Sequence, residues 1–167
     1  MTARKAAMLG MLMAAGILLQ LLESFVPVMA IVPGYKIGLA NIVGLFALYR
    51  FGTKDMVIVT TGRVVLSALL TGTIFSVAFL LSCSGAVLSM LAMALGKASG
   101  KFSIYGVSVL GAVFHSVGQV AAVTWIYQQY FMQMFLPILM ALSLVSGLLI
   151  ALVTSQLLSR IKGVYHG

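Results

Sequence analysis

Six polar side chains stand where an otherwise apolar sequence offers them no ordinary use: Glu23, Lys36, Asn41, Arg63, His115 and Gln119. Arg63 lies nine residues past Lys54, which is ~13 Å along a helix rising 1.5 Å per residue. Asn41 precedes Arg50 by the same interval and so sits at a similar depth. His115 is 14 residues past Lys101, ~21 Å along its own helix, and Gln119 follows one turn later on the same face. Glu23 ends an apolar run. Lys36, Arg63 and His115 outnumber the single nearby acid, and this positive balance suits a ligand carrying carboxylate or phosphate. Each residue also has a plainer use. Glu23 or helix carbonyls can neutralise Arg63, and His115 with Gln119 can be an interhelical hydrogen-bond pair. Asn41 can be structural, and Lys36 can snorkel to lipid headgroups.

The same inventory argues against an enzyme. The chain has two acids, Glu23 and Asp55, too few to hold Mg²⁺ in an oxygen-rich cluster. The segment Gly96-Lys97-Ala98-Ser99-Gly100-Lys101 has the residue types of a phosphate-binding loop but not its spacing. Cys83 is the sole cysteine and lies in an apolar run, as a small buried hydrophobe would. No nucleophile set, metal site or cofactor motif is expected.

The elements that must position these groups follow from composition. Of 167 residues, 62% are hydrophobic and 7% charged, against about 45–50% and 25% in soluble domains. That excludes a soluble enzyme, a disordered chain and a disulfide scaffold, and leaves an all-α, polytopic membrane protein with a single domain over residues 1–167. The net charge of +8 is not a nucleic-acid signal, because the basic residues stand singly or in pairs between apolar runs. Six spans are expected: Met8–Phe25, Tyr35–Tyr49, Met56–Leu70, Thr73–Leu95, Phe102–Tyr127 and Phe131–Leu158. The second and third are short for a bilayer. Arg4, Lys5, Arg50, Lys54, Lys97, Lys101, Arg160 and Lys162 then share one side, with Lys36 on the other. Both termini should face the cytoplasm. Trp125, Tyr127, Tyr130 and Phe131 cluster as an interfacial belt would.

Val28-Met29-Ala30 resembles a signal-peptide cleavage site, but Gln20 and Glu23 interrupt the run before it and favour a retained helix. The segment Phe25–Pro33 is apolar, bracketed by Pro27 and Pro33 and followed by Gly34. It reads either as an interfacial connection or as a lid, Pro27–Tyr35, over a cavity shared by Arg63, Asn41, His115 and Gln119, with Leu45 and Phe114 as apolar walls. In the first span, Ala6, Gly10 and Ala14 recur every four residues and make a flat stripe that another helix can approach closely. That helix is either an internal neighbour or a separate membrane subunit.

Several blocks, taken in order, resemble the Gx transporter family, also described as heptaprenyl diphosphate synthase component I. They are Gly34-Tyr35-Lys36-Ile37-Gly38-Leu39-Ala40-Asn41-Ile42, Leu45–Tyr49, Arg63, and Gly106–His115 with Gly118-Gln119. Ser116 departs from the asparagine expected after the histidine. The resemblance implies a six-helix fold similar to the substrate-binding membrane subunits (S components) of energy-coupling factor importers. Such subunits take a small molecule, often a vitamin or its precursor, in an outward pocket. They dock through small residues of the first helix onto a transmembrane partner driven by ATPases. Lys36, Asn41, Arg63, His115 and Gln119 are the expected substrate-binding residues, and Ala6, Gly10 and Ala14 the docking residues. The expected partners are a small anionic substrate, membrane lipid and a coupling subunit, with no nucleic acid. Two other readings stay open: a non-catalytic membrane partner in isoprenoid, quinone or flavin metabolism, and a self-sufficient small carrier.

Overall fold

The computed structural model describes residues 3–24, 38–128 and 130–164, with the side chains of 24, 132 and 162–164 left aside. Among the described residues the chain is all-α. Its helices are α1 (Ala3–Ser24), α2 (Asn41–Arg50), α3 (Thr53–Leu70), α4 (Val77–Ala98), α5 (Ile104–Tyr127) and α6 (Leu136–Val164), with a short 3-10 helix, Tyr130–Phe135, before the last. Local chemistry sets several ends. Ser76 Oγ accepts from the Phe79 amide at 3.2 Å and starts α4, and Ser103 Oγ does the same for Gly106 at the start of α5. Phe51 and Gly52 alone separate α2 from α3, and Gly52 takes φ +110°, which favours glycine.

Four helices, α1, α4, α5 and α6, are long and apolar enough to cross a membrane. The expected second span is much shorter as a helix than Tyr35–Tyr49. It begins at Asn41, and its ten residues extend ~15 Å, about half the hydrocarbon thickness. α3 is longer but carries Lys54, Asp55 and Arg63. The reason α2 can be short lies in its packing. Every residue from Ile42 to Leu48 is buried, so α2 is surrounded by α1, α3 and α6 rather than by lipid, as a helix apolar on all sides must be. Leu45, Leu48, Met56, Val59 and Val107 form the centre of the core.

α4 and α5 make the most extensive helix pair, and glycine permits it. A Cβ at Gly118 would stand 2.7 Å from the Ser84 carbonyl oxygen, so the two backbones nearly touch. On the other side of α5, Ser108 Oγ donates to the Gly147 carbonyl of α6 at 2.7 Å, and Ser116 shares a 2.7 Å hydrogen bond with Ser143. Such hydroxyl bonds and small-residue contacts hold helices together where lipid supplies no hydrophobic drive.

One end of the bundle gathers the basic residues. Lys5 of α1 pairs with Asp55 of α3 at 2.7 Å. Lys97 of α4 donates to the Leu48 carbonyl at 2.6 Å and lies 4.9 Å from the Tyr49 ring centre. These contacts bring together the start of α1, the end of α2, the start of α3 and the end of α4. Trp125, Tyr127, Tyr130 and Phe131 are all exposed where α5 passes into the 3-10 helix.

Candidate functional site

Arg63 sits in the middle of α3, 5% exposed. Its aliphatic stem crosses α1 at Gly16, where a Cβ would come within 2.6 Å of Arg63 Cδ and 2.8 Å of Val43. Glycine there clears the path for the arm. The head then reaches Gln20 of α1, whose Oε1 accepts from Nη1 at 3.0 Å. Arg63 Nε is buried and has no hydrogen-bond partner among the described residues.

Glu23, one turn beyond Gln20, borders the same cavity as Arg63 and is also bound to the backbone. Its two carboxylate oxygens accept from the backbone amides of Gly38, at 2.7 Å, and Leu39, at 3.1 Å. These amides open the turn that leads into α2, so the carboxylate fixes that turn just ahead of the helix. Gly38 has φ +78°, and a Cβ there would also meet the Asn41 side-chain amide at 3.1 Å. Conformation and crowding both demand glycine at this corner. The other acid, Asp55, is paired with Lys5 at the far end of the bundle.

Around Arg63 lies a cavity of about 40 Å³, bordered by α1, α2, α3, α4 and α5. Gln20 and Glu23, Gly38 and Asn41, Ser82, and His115 with Gln119 line it. His115 is held from α5 against Gly85 of α4, where a Cβ would stand 2.9 Å from its Cε1 and Nδ1. The structure therefore brings together Arg63, Asn41, His115 and Gln119, four of the five residues expected to face one ligand. The fifth, Lys36, and the expected lid Pro27–Tyr35 lie outside the described residues. The expected walls are elsewhere. Leu45 belongs to the core, and Phe114 borders an outer groove between α4 and α5. Ser116 turns to α6, so its departure from asparagine leaves the cavity untouched.

Sequence reasoning missed two lining residues, Gln20 and Ser82. The signal for Gln20 was present, since it and Glu23 share one face of an otherwise apolar helix. Ser82 gave none, because single serines are scattered along α4. Chemically, the cavity offers a guanidinium, three carboxamides, an imidazole, a hydroxyl and the Glu23 carboxylate in a space fit for a few water-sized groups. Among the described residues no three of His, Cys, Asp and Glu gather to hold a metal ion.

The stripe Ala6, Gly10 and Ala14 faces outward from α1, and a Cβ at Gly10 would meet nothing within 4 Å. All three positions are exposed among the described residues.

Long apolar helices around a polar cavity define a multi-pass, α-helical membrane protein. The chain belongs to the heptaprenyl diphosphate synthase component I family, whose model matches residues 12–157. Neither the curated proteins nor the solved structures provide a match.

Proposed function

We propose that the chain is the substrate-binding membrane subunit of an energy-coupling-factor-type importer, taking a small anionic molecule and performing no catalysis itself. The observation that carries this reading is Arg63: a buried guanidinium with a buried Nε that no described residue satisfies, facing a cavity lined by carboxamides and an imidazole. A charge at this depth demands compensation; Asp55 is paired with Lys5, and Glu23, which borders the same cavity, divides its carboxylate with the Gly38 and Leu39 amides. A carboxylate or phosphate in the cavity would supply it, with Asn41, His115 and Gln119 completing its hydrogen bonds and Lys36 adding charge. In this reading the chain crosses the membrane six times with both termini in the cytoplasm. The exposed stripe Ala6, Gly10 and Ala14 receives a transmembrane coupling subunit driven by ATPases.

The family description favours a second reading, in which the chain is a non-catalytic membrane partner that presents a phosphorylated, isoprenoid-type substrate to an enzyme. Purification in mild detergent separates the two. Co-purifying ATPases and a small anion released on denaturation support the importer; a co-purifying prenyl-chain or flavin enzyme supports the partner role instead.

A further inference from the structure

A second feature runs along α1, α2 and α6. α1 and α6 each pack on α2 and leave a cleft of about 380 Å³ between them. Its walls are wholly apolar: Met11 and Ala15 from α1, Val43 and Phe46 from α2, Leu157 and Ile161 from α6. Three arginines stand at its basic end. Arg4 precedes the lining residue Met8 by one turn, Arg50 follows Phe46 by one turn, and Arg160 follows Leu157 by three residues. Spacings of three and four place each arginine on the strip of its helix that borders the cleft, and all three are exposed.

We propose that this cleft binds an anionic phospholipid, with an acyl chain between α1 and α6 and the phosphate held by Arg4, Arg50 and Arg160. The argument is charge complementarity at one end of a hydrocarbon-lined slot. Basic clusters between helices at the membrane surface recognise anionic headgroups in this way, and planar guanidinium groups match phosphate oxygens in pairs. The molecule contains its own comparison. The groove between α4 and α5, about 360 Å³ and lined by Leu91, Leu95 and Phe114 among others, is equally apolar but ends at Ser99 and Phe102, with no cluster of arginines. It should accept lipid tails without selecting their headgroup.

The test titrates the detergent-solubilised full chain with phosphatidylglycerol or phosphatidylcholine of identical acyl chains and counts retained lipid by native mass spectrometry. The first lipid bound should be phosphatidylglycerol by at least about tenfold. Each change Arg4→Gln, Arg50→Gln or Arg160→Gln should cut that preference about fivefold, and the triple variant should abolish it. Should the triple variant not fold, the single variants carry the same test. Ala15→Phe should weaken retention by filling the slot, whereas Ala92→Phe in the other groove and Lys101→Gln should leave the preference unchanged. Equal retention of the two lipids by the unaltered chain overturns the proposal. So does a loss with Lys101→Gln as large as with Arg160→Gln, which would reduce the effect to overall charge. Arg63→Gln leaves lipid selection intact in either case, so this result stands apart from that of the cavity.

Discussion

Replacing Arg63 by glutamine distinguishes a guanidinium that holds a ligand from one that holds the bundle. The structure sets the expected magnitudes. At 5% exposure the charge has given up most of its hydration, a cost of several kcal/mol for an ion inside protein. Its hydrogen bond to Gln20 returns about 1.5–3 kcal/mol, the range for bonds to charged groups. Among the described residues no carboxylate is in ion-pair contact with it: Glu23 borders the same cavity but bonds to Gly38 and Leu39, and Asp55 is paired with Lys5. Glutamine removes the charge, keeps the first part of the stem against Gly16 and Val43, and can still bond to Gln20. Lost and relieved terms therefore nearly cancel, and stability should move by no more than about 1–2 kcal/mol. A bound anion has no such offset. Losing two charge-assisted bonds costs at least ~3 kcal/mol, or roughly two orders of magnitude in affinity. The assay compares yield and thermal melting in detergent with the amount of small anion that mass spectrometry recovers from the purified protein. Arg63→Lys, which keeps charge but not the planar fork, should fall between the two. A variant that binds as before but melts far lower or fails to accumulate refutes the reasoning and makes Arg63 a structural residue.

Glu23→Gln should lose about 1–2 kcal/mol by weakening the hydrogen bonds from the Gly38 and Leu39 amides, with faster hydrogen exchange at those two amides than in the core of α2. Gly118→Ala should destabilise more than Gly111→Ala, read from melting curves, because the first pushes on the Ser84 backbone and the second on the side chain of Met93, which can change rotamer. Gly10→Leu should leave folding and ligand retention unchanged, since no described residue lies within 4 Å of the added Cβ, while preventing co-purification of a membrane coupling subunit. A protein that no longer folds with leucine at this position counts against the docking surface. A reporter fused after Gly167 should be active only in its cytoplasmic form; activity of an external reporter overturns the six-span topology.

Much of the site was legible because membranes penalise polarity. Arg63, Asn41, His115 and Gln119 each stood out against an apolar run, and counting residues along their helices put them at related depths. Hydrophobic runs also located α1, α4, α5 and α6. What the pattern could not convey was division of labour among neighbours. Glu23 and Arg63 border one cavity, as their charges suggest, but the amides of Gly38 and Leu39 also take the carboxylate, and only three-dimensional proximity shows that sharing. Gln20 was visible as an interruption and not as a partner, since its link to Arg63 spans 43 positions. The length of α2 was misjudged because an apolar stretch measures burial and not helix: Tyr35–Tyr49 is largely apolar throughout, while the helix begins only at Asn41. Phe114 was assigned to the cavity from its neighbour His115, although adjacent residues on a helix point about 100° apart.

The short helix α2 is gripped at both ends by side chains from other helices, Glu23 of α1 on the amides before its first turn and Lys97 of α4 on the Leu48 carbonyl near its last. Each grip suits the helix dipole, but together they also act as a gauge. Inserting one residue between Asn41 and Leu48 would lengthen α2 by ~1.5 Å and rotate everything beyond it by about 100°. Lys97 would then meet a different carbonyl, and the arc of α2 that contacts α3 and α6 would turn with it. Natural variation in this helix should accordingly take the form of exchanges among apolar side chains, with the number of residues between the two grips held constant, while insertions accumulate in the connections that no side chain measures.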